Sequence, residues 1–488
     1  MQREHPIQVR QTRLPRQQAT AAAIVHAGAN AMHSAPLRLL ALFLPVAIIM
    51  AALATLAMHG VARAQEPVSI APLPAYLKTA AENNGELQAA FARWRAAVQK
   101  APQASVMPDP ELRFGYFIEP VETRTGPQRW RYGISQKFPW PGKLSDKEQI
   151  ALHEADTLRA QAEGTKLALY RDVKNAFYEY AYLERAINIT RENEELLQYL
   201  EDVARARYAA GGTPYSDVLR TQVELDKLGE RLRSMQDLRT PLGARLNAAM
   251  GRETNEPVQV PDAVPVMEIS MNDDTLRTAL KENNPALHGY DAQAEKAKSA
   301  ASLAERNYFP DVTLGLESIY TDRPRNNADM FNKGDDPLIA SIGINLPIWR
   351  SGRDAAVIES KEMLLAAHRG RQGKQDSLLA DLELALFRYR DAGRRIELYK
   401  DTLLPRAEQA IEVSLQAYQS GKASFSDITE TQKSYLELHL AYARALTDQA
   451  QRIADMEALT GGEIPCKYHG SVLEKPSLPE SDLKTTIK

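Results

Sequence analysis

Asp427 and Glu430 stand three residues apart in Ser426-Asp427-Ile428-Thr429-Glu430, so on a helix both carboxylates face one side. Acids at a helix start can satisfy backbone N–H groups and meet the positive end of the dipole. Gathered in a ring they favour cations and repel anions. An earlier stretch, Ser216-Asp217-Val218-Leu219-Arg220, repeats the plan with Asp217 but puts Arg220 where the second acid would be. Ser216 or Ser426 is expected to supply the N-cap of each helix. The other grouping with suggestive spacing is Cys466-x-x-His469, yet structural zinc needs about four ligands and the remaining histidines are scattered. No metal site and no cofactor are expected. Nor does any nucleophile, phosphate-loop or metal motif supply the convergent groups an enzyme needs. Charges of both signs are mixed to a net −3, so no basic stripe points to nucleic acid.

The elements that carry these residues occur twice. Asn83-Asn84-Gly85-Glu86-Leu87 returns as Asn283-Asn284-Pro285-Ala286-Leu287, and Pro110-Glu111-Leu112 as Pro310-Asp311-Val312, both 200 residues on. Tyr208-Ala209-Ala210-Gly211 matches Tyr418-Gln419-Ser420-Gly421, and Met250-Gly251 matches Thr460-Gly461, now 210 apart. The second copy therefore holds ten extra residues between Gly315 and Gly343. A period this long lies far outside solenoid repeats of about 20–50 residues, and reads as one large unit duplicated in tandem.

Each copy contains two segments with period-2 alternation. Leu112, Phe114, Tyr116 and Ile118 alternate with Glu111, Arg113 and Gly115; Trp130, Tyr132, Ile134 and Phe138 alternate with Arg129, Arg131, Ser135 and Lys137. In the second copy Val312, Leu314, Leu316 and Tyr320 form one such row, and Leu338, Ala340, Ile342, Ile344, Leu346 and Ile348 the other. Segments of about ten residues with one greasy and one wet face are the signature of transmembrane β-barrel strands. Aromatics gather at their ends, and the wet face carries Arg and Lys without evident partners, which suits a water-filled lumen better than a half-buried soluble hairpin. Four strands cannot close, and an open edge in lipid costs several kcal/mol per unsatisfied group. Strands must therefore be pooled between chains, and three chains would give twelve. The connecting loops are read as 119–128 and 321–336, the second holding the extra residues.

After each strand pair comes a long polar helical pattern. Leu169, Val173, Ala176, Tyr180, Leu183 and Ile187 step by four and three, as do Leu382, Leu386, Tyr389, Gly393 and Ile396. About 65 residues at 1.5 Å each span roughly 100 Å, far too polar for a bilayer. Turns at 209–214 and 419–424 reverse the chain, and Gly251 and Gly461-Gly462 end the returning helices.

The chain reads as exported. Residues 39–58 form its long apolar run, followed by Ala62-Arg63-Ala64, a cleavage pattern that would leave Gln65 as the mature N-terminus. A start at Met32 gives a more ordinary leader than Met1; an uncleaved anchor is the alternative. The expected organisation is a leader over 1–64, a first repeat over 65–252, a linker over 253–272, a second repeat over 273–462 and a flexible tail over 463–488.

Duplicated halves, two strand pairs, long helical hairpins and a Gly-turn-Ser-Asp tip together resemble the TolC-like outer-membrane factor family, over about residues 76–462. The motifs with the clearest resemblance are 208–217, 418–430 and 343–352. The resemblance implies a mainly α fold with a small transmembrane β part. Each protomer would give long α-helical hairpins to a periplasmic tunnel and four strands to a 12-stranded barrel in a homotrimer. It also implies a channel of a tripartite efflux system, partnered by a periplasmic adaptor, an inner-membrane RND-type pump and outer-membrane lipid. Asp427, Glu430, Asp217 and Arg220 would form the periplasmic gate, Arg220 bridging to a neighbouring acid. Tyr208, Gly211, Gly212, Tyr418 and Gly421 would meet the adaptor. Phe138-Pro139-Trp140-Pro141-Gly142-Lys143 resembles the heavy-metal efflux branch. A type I protein-secretion channel and a structural periplasmic coiled-coil protein are the competing readings; the second explains the helices but not the four alternating strands.

Overall fold

A computed structural model of the chain describes residues 72–323 and 334–469. The leader and its cleavage site lie outside the described residues. Helices α1 (Pro72–Asn83), α2 (Gly85–Val98) and α3 (Lys100–Ser105) lead into strands β1 (Glu111–Thr123) and β2 (Gly126–Phe138). A single helix, α4 (Lys143–Ala209), follows, and α5 (Tyr215–Asp237) and α6 (Arg239–Ala249) return beside it. After β3 (Val266–Ile269) the plan repeats: α7 (Asp273–Asn283), α8 (Pro285–Arg306), β4 (Val312–Thr321), β5 (Leu338–Ile344) and α9 (Ser351–Leu398). A π turn (Tyr399–Leu403) joins α9 to α10 (Leu404–Gln419), and α11 (Phe425–Thr460) and β6 (Cys466–His469) complete the chain.

α4 runs for 67 residues, about 100 Å, with the expected seam inward: Val173 and Ile187 are fully buried and Leu169 and Leu183 nearly so. Its counterpart is interrupted. Pro405 cannot donate to the ladder, and one turn widens so that the Leu404 N–H reaches the Tyr399 carbonyl.

The duplicated Asn-Asn pairs turn out to be structural clasps. Asn84 accepts from the Leu87 N–H to cap α2, while its Nδ2 donates to the Ala249 carbonyl at 3.2 Å, at the end of the returning helix. Asn284 does the same, accepting from Ala286 and donating to Leu459 at 2.8 Å. Each copy thus fastens its first helices to the far end of its hairpin.

The four strands form one antiparallel sheet in the order β1-β2-β4-β5, so β2 of the first copy pairs with β4 of the second. The register places Leu112, Ile134, Leu316 and Ala340 across one face, and Arg113, Gly133, Glu317 and Ile339 across the other. Leu112, Ile118 and Ile342 are more than 70% exposed, so among the described residues nothing covers them on the greasy face. Neither outer edge, β1 nor β5, has a partner strand among the described residues.

Several expectations are corrected here. The first loop is not 119–128 but the two residues Arg124 and Thr125, because β1 continues through a register shift between Tyr116 and Val121. Polar residues there broke the alternation without ending the strand. β5 stops at Ile344, opposite Val312 where its partner β4 begins; beyond that pair Pro310 and Pro347 lack the N–H groups that a longer ladder would need. The second loop's residues 324–333 lie outside the described set. The wet-face cations also have partners: Arg131 meets Glu317 at 3.7 Å and Arg129 meets Asp322 at 3.4 Å.

Four residues of the stretch read as a linker pair with four at the start of the segment read as a tail, whose residues 470–488 lie outside the described set. Val266–Ile269 pairs with Cys466–His469 in a two-stranded sheet about 200 residues apart in sequence. This sheet packs on the main core, where Phe177, Tyr442, Met456 and Leu246 meet. On a strand, Cys466 and His469 point to opposite faces and cannot share a ligand. Cys466 is half-buried and its thiol pKa is pushed up to about 11 by burial and Glu457; His469 instead meets Glu268 at 3.2 Å.

Candidate functional site

The two hairpin turns lie at the end of α4 opposite the sheet, and each closes with the same hydrogen bonds. Gly212 N–H donates to the Arg207 carbonyl at 2.8 Å and Gly211 N–H to Tyr208 at 3.0 Å; Lys422 donates to Ala417 at 2.8 Å and Gly421 to Tyr418 at 3.1 Å. Gly211 and Gly421 hold φ of 72° and 75°, the left-handed conformation that ends both descending helices.

The caps differ from expectation. The N-cap of α11 is Ser424, not Ser426, which sits at the second helical position where its hydroxyl cannot reach the free N–H groups. Ser424 Oγ accepts from the Asp427 N–H at 3.3 Å, and the Asp427 carboxylate accepts from the Ser424 N–H at 3.0 Å, a closed capping box. Those bonds hold the Asp427 carboxyl below its usual range, so it stays charged at neutral pH. In the first copy Pro214 occupies the cap position and Ser216 caps nothing. There the Thr213 hydroxyl donates to Asp217, whose side chain is buried.

The expected gate residues therefore split. Asp427 and Glu430 are exposed on one side of α11, opposite Phe425, Ile428 and Thr429, which are buried. Asp217 is turned inward. Arg220 is exposed, and no ion pair ties it to an acid among the described residues.

A residue not singled out in the sequence does the bridging. Arg207 donates through Nη1 to the Tyr418 carbonyl and through Nη2 to the Gly212 carbonyl at 3.1 Å, with its guanidinium 4.6 Å from the centre of the Tyr418 ring. It ties the first tip to the second. The tie sets the turn holding Tyr208, Gly211 and Gly212 against the turn holding Tyr418 and Gly421, with Asp217 close to Tyr418; Asp427 stands in the first turn of α11 and Glu430 three residues further on. Burial and the nearby Asp217 push the Tyr418 phenol above its ordinary range, against the opposing charge of Arg207. The available signal was a mismatch between the copies: position 207 is Arg, but its equivalent 417 is Ala.

Equivalent tyrosines also differ in exposure. Tyr418 is 1% exposed and packs on Phe425, whereas Tyr208 is 48% exposed and its ring meets Tyr215, itself 51% exposed, at a tilt.

A ribbon greasy on one face, mounted on hairpins of about 100 Å with acids at their tips, is the plan of a membrane conduit. The profile of the family described as outer membrane efflux protein matches residues 76–252 and again 276–462, once per copy. The chain belongs to that family: it is an outer-membrane channel that extends into the periplasm. The chain is 22% identical over 405 residues to the cobalt-zinc-cadmium resistance protein CzcC of Cupriavidus metallidurans, covering 80% of this chain and 90% of that one. Among solved structures, VceC of Vibrio cholerae superposes with a TM-score of 0.67 at 18% identity, covering 81% of this chain and 97% of that chain. The open-state MtrE channel of Neisseria gonorrhoeae gives 0.64 at 15% identity, covering 80% and 89%.

Proposed function

We propose that three copies of this chain close a barrel of about twelve strands in the outer membrane and a helical tunnel beneath it. This conduit receives small molecules or metal cations from a periplasmic adaptor and an inner-membrane RND-type pump. The observation that carries the reading is the four-stranded sheet, whose apolar face is bare and whose two edges are unpaired among the described residues. In lipid those edges demand partners, and sister chains of an efflux-channel family supply them. Divalent metal cations are the favoured cargo, supported by the 22% identity to a cobalt-zinc-cadmium resistance protein over most of both chains. The exposed acids Asp427 and Glu430 are the proposed gate, six carboxylates around one opening in a trimer, and the tip turns are the proposed adaptor contacts.

Purified in detergent, the protein is expected to scatter light as three chains and to change gel mobility on heating. A monomer soluble without detergent would overturn the reading. In planar bilayers, Asp427→Asn combined with Glu430→Gln is expected to raise resting conductance several-fold. Unchanged conductance would remove the gate assignment and leave the channel itself standing.

A further inference from the structure

The four strands of the membrane sheet carry their cations in closed ion pairs. Arg113 meets Glu111 at 2.7 Å, Arg129 meets Asp322 at 3.4 Å, Arg131 meets Glu317 at 3.7 Å and Lys137 meets Asp311 at 3.1 Å. Each Arg and Lys of these strands thus has a carboxylate beside it. All four cations belong to the wet face, opposite the bare apolar row. The two further acids of the strands, Glu119 and Glu122, lie toward the loop, in and beyond the register shift of β1.

Arg131 and Glu317 form the pair whose surroundings one chain fixes by itself. They stand on β2 and β4, the two central strands, flanked by β1 and β5 of the same chain. Arg131 lies opposite Gly115 on β1, and Glu317 opposite Gly133 on β2. The first glycine lets the arginine stem lie along the wall: a Cβ at Gly115 would sit 2.9 Å from Arg131 Cγ and 3.1 Å from its Nε. Gly133 makes room for Glu317 in the same way, since a Cβ there would sit 3.1 Å from the Glu317 Cβ. Fold stability does not explain the pairing. The two side chains are 55% and 37% exposed, and a pair that wet contributes only about 0–1 kcal/mol. What the pairing changes is the field. Opposite charges this close cancel a short way off, whereas an unpaired charge reaches about a Debye length into the water.

In a barrel whose greasy face meets lipid, the wet face lines the passage. We propose that this lining is charge-balanced, so that the membrane stage of the conduit transmits cations and anions alike, and that Arg131 and Glu317 are the residues that set the balance. An unpaired ring would repel solutes of its own sign and retain those of the other. Paired, the wall does neither, and selection by charge is left to the exposed acids at the tips. The inference rests on the trimeric reading above.

Reversal potentials in planar bilayers under a potassium chloride gradient test it, at about 10 mM salt on the dilute side, where a charge acts over about 30 Å. The parent is the full-length protein with Asp427→Asn and Glu430→Gln, so that the tip carboxylates do not dominate the reading. Arg131→Gln bares Glu317 and is expected to raise the potassium-to-chloride permeability ratio about threefold over the parent. Glu317→Gln bares Arg131 and is expected to lower it about threefold. Both substitutions together, and the conservative Arg131→Lys alone, are expected to stay within about 1.5-fold of the parent. The two shifts should vanish near 1 M salt, where screening leaves a reach of about 3 Å. Shifts of the same sign, a double variant as selective as either single one, or no shift from any variant would overturn the inference. A one-chain mass in detergent, with no channel inserting, would instead sink the trimeric reading.

Discussion

Asp311→Ala is expected to destabilise the assembled protein by about 3–5 kcal/mol, as breaking one side of a buried ion pair does. Asp311 stands just below the first residue of β4, outside the membrane-spanning strands, where the sheet joins the helical body. Its Oδ1 accepts from Lys143 Nζ at 2.8 Å and from the Trp140 N–H at 3.0 Å, and its Oδ2 meets Lys137 at 3.1 Å. The Lys143 side chain is 9% exposed, and its other recorded partner is the Phe309 carbonyl at 2.9 Å. Without Asp311 that ammonium is left in a site from which water is largely excluded, and the start of α4 loses its anchor to the sheet. The melting temperature of the detergent-solubilised protein, followed by circular dichroism, is the measurement. A loss below about 1 kcal/mol would show the joint to be held elsewhere.

The same carboxylate sets an acid limit. Burial alone would raise its pKa, but the hydrogen bonds from Lys143, the Trp140 amide and Lys137 outweigh it and bring the value down to about 2. A depressed pKa contributes stability that is fully present above the unfolded value of 3.8 and is lost as pH falls through about 2. The Asp311→Ala deficit should therefore be constant at neutral pH and shrink between those limits.

Gly251→Val is expected to cost about 3 kcal/mol or more, with Gly461→Val its counterpart in the second copy. Gly251 holds φ at 67°, and a Cβ there would lie 2.6 Å from the Asn83 carbonyl oxygen. That oxygen belongs to the backbone of the clasp, so it cannot swing aside. Both the left-handed strain and the collision fall on the contact that fastens α1 and α2 to the end of the hairpin. Gly164 provides the contrast, since nothing lies within 4 Å of a Cβ built on it in the middle of α4. Gly164→Ala is expected to stabilise by about 0.5–1 kcal/mol through helix propensity alone. Equal melting temperatures for the Gly251 and Gly164 variants would remove the clasp.

Much of this molecule was legible because its signals are local. Alternation over 111–118 and 312–320 gives strands, the seam at Leu169, Val173 and Ala176 gives a helix, and Gly251 gives a helix end. Legibility failed where a residue serves two levels at once. Ser424 and not Ser426 caps α11 because cap position depends on where the chain turns. Polar residues past Ile118 resembled a loop although the strand continues. Nothing local distinguishes Arg207 from the other arginines of a charged helix; only the fold sets the second tip beside it.

The sequence by itself determined the duplication, the kinds of element, the amphipathic faces and the need for partner strands, because periodicity and backbone chemistry act between near neighbours. Only the tertiary structure decided which of two equivalent positions is covered. Tyr208 and Tyr418 sit in matching turns, yet one is half exposed and the other is sealed. Likewise, nothing near Cys466 announces its pairing with Ile269. Such choices follow from contacts between residues about 200 positions apart, and the local sequence around either partner does not encode them.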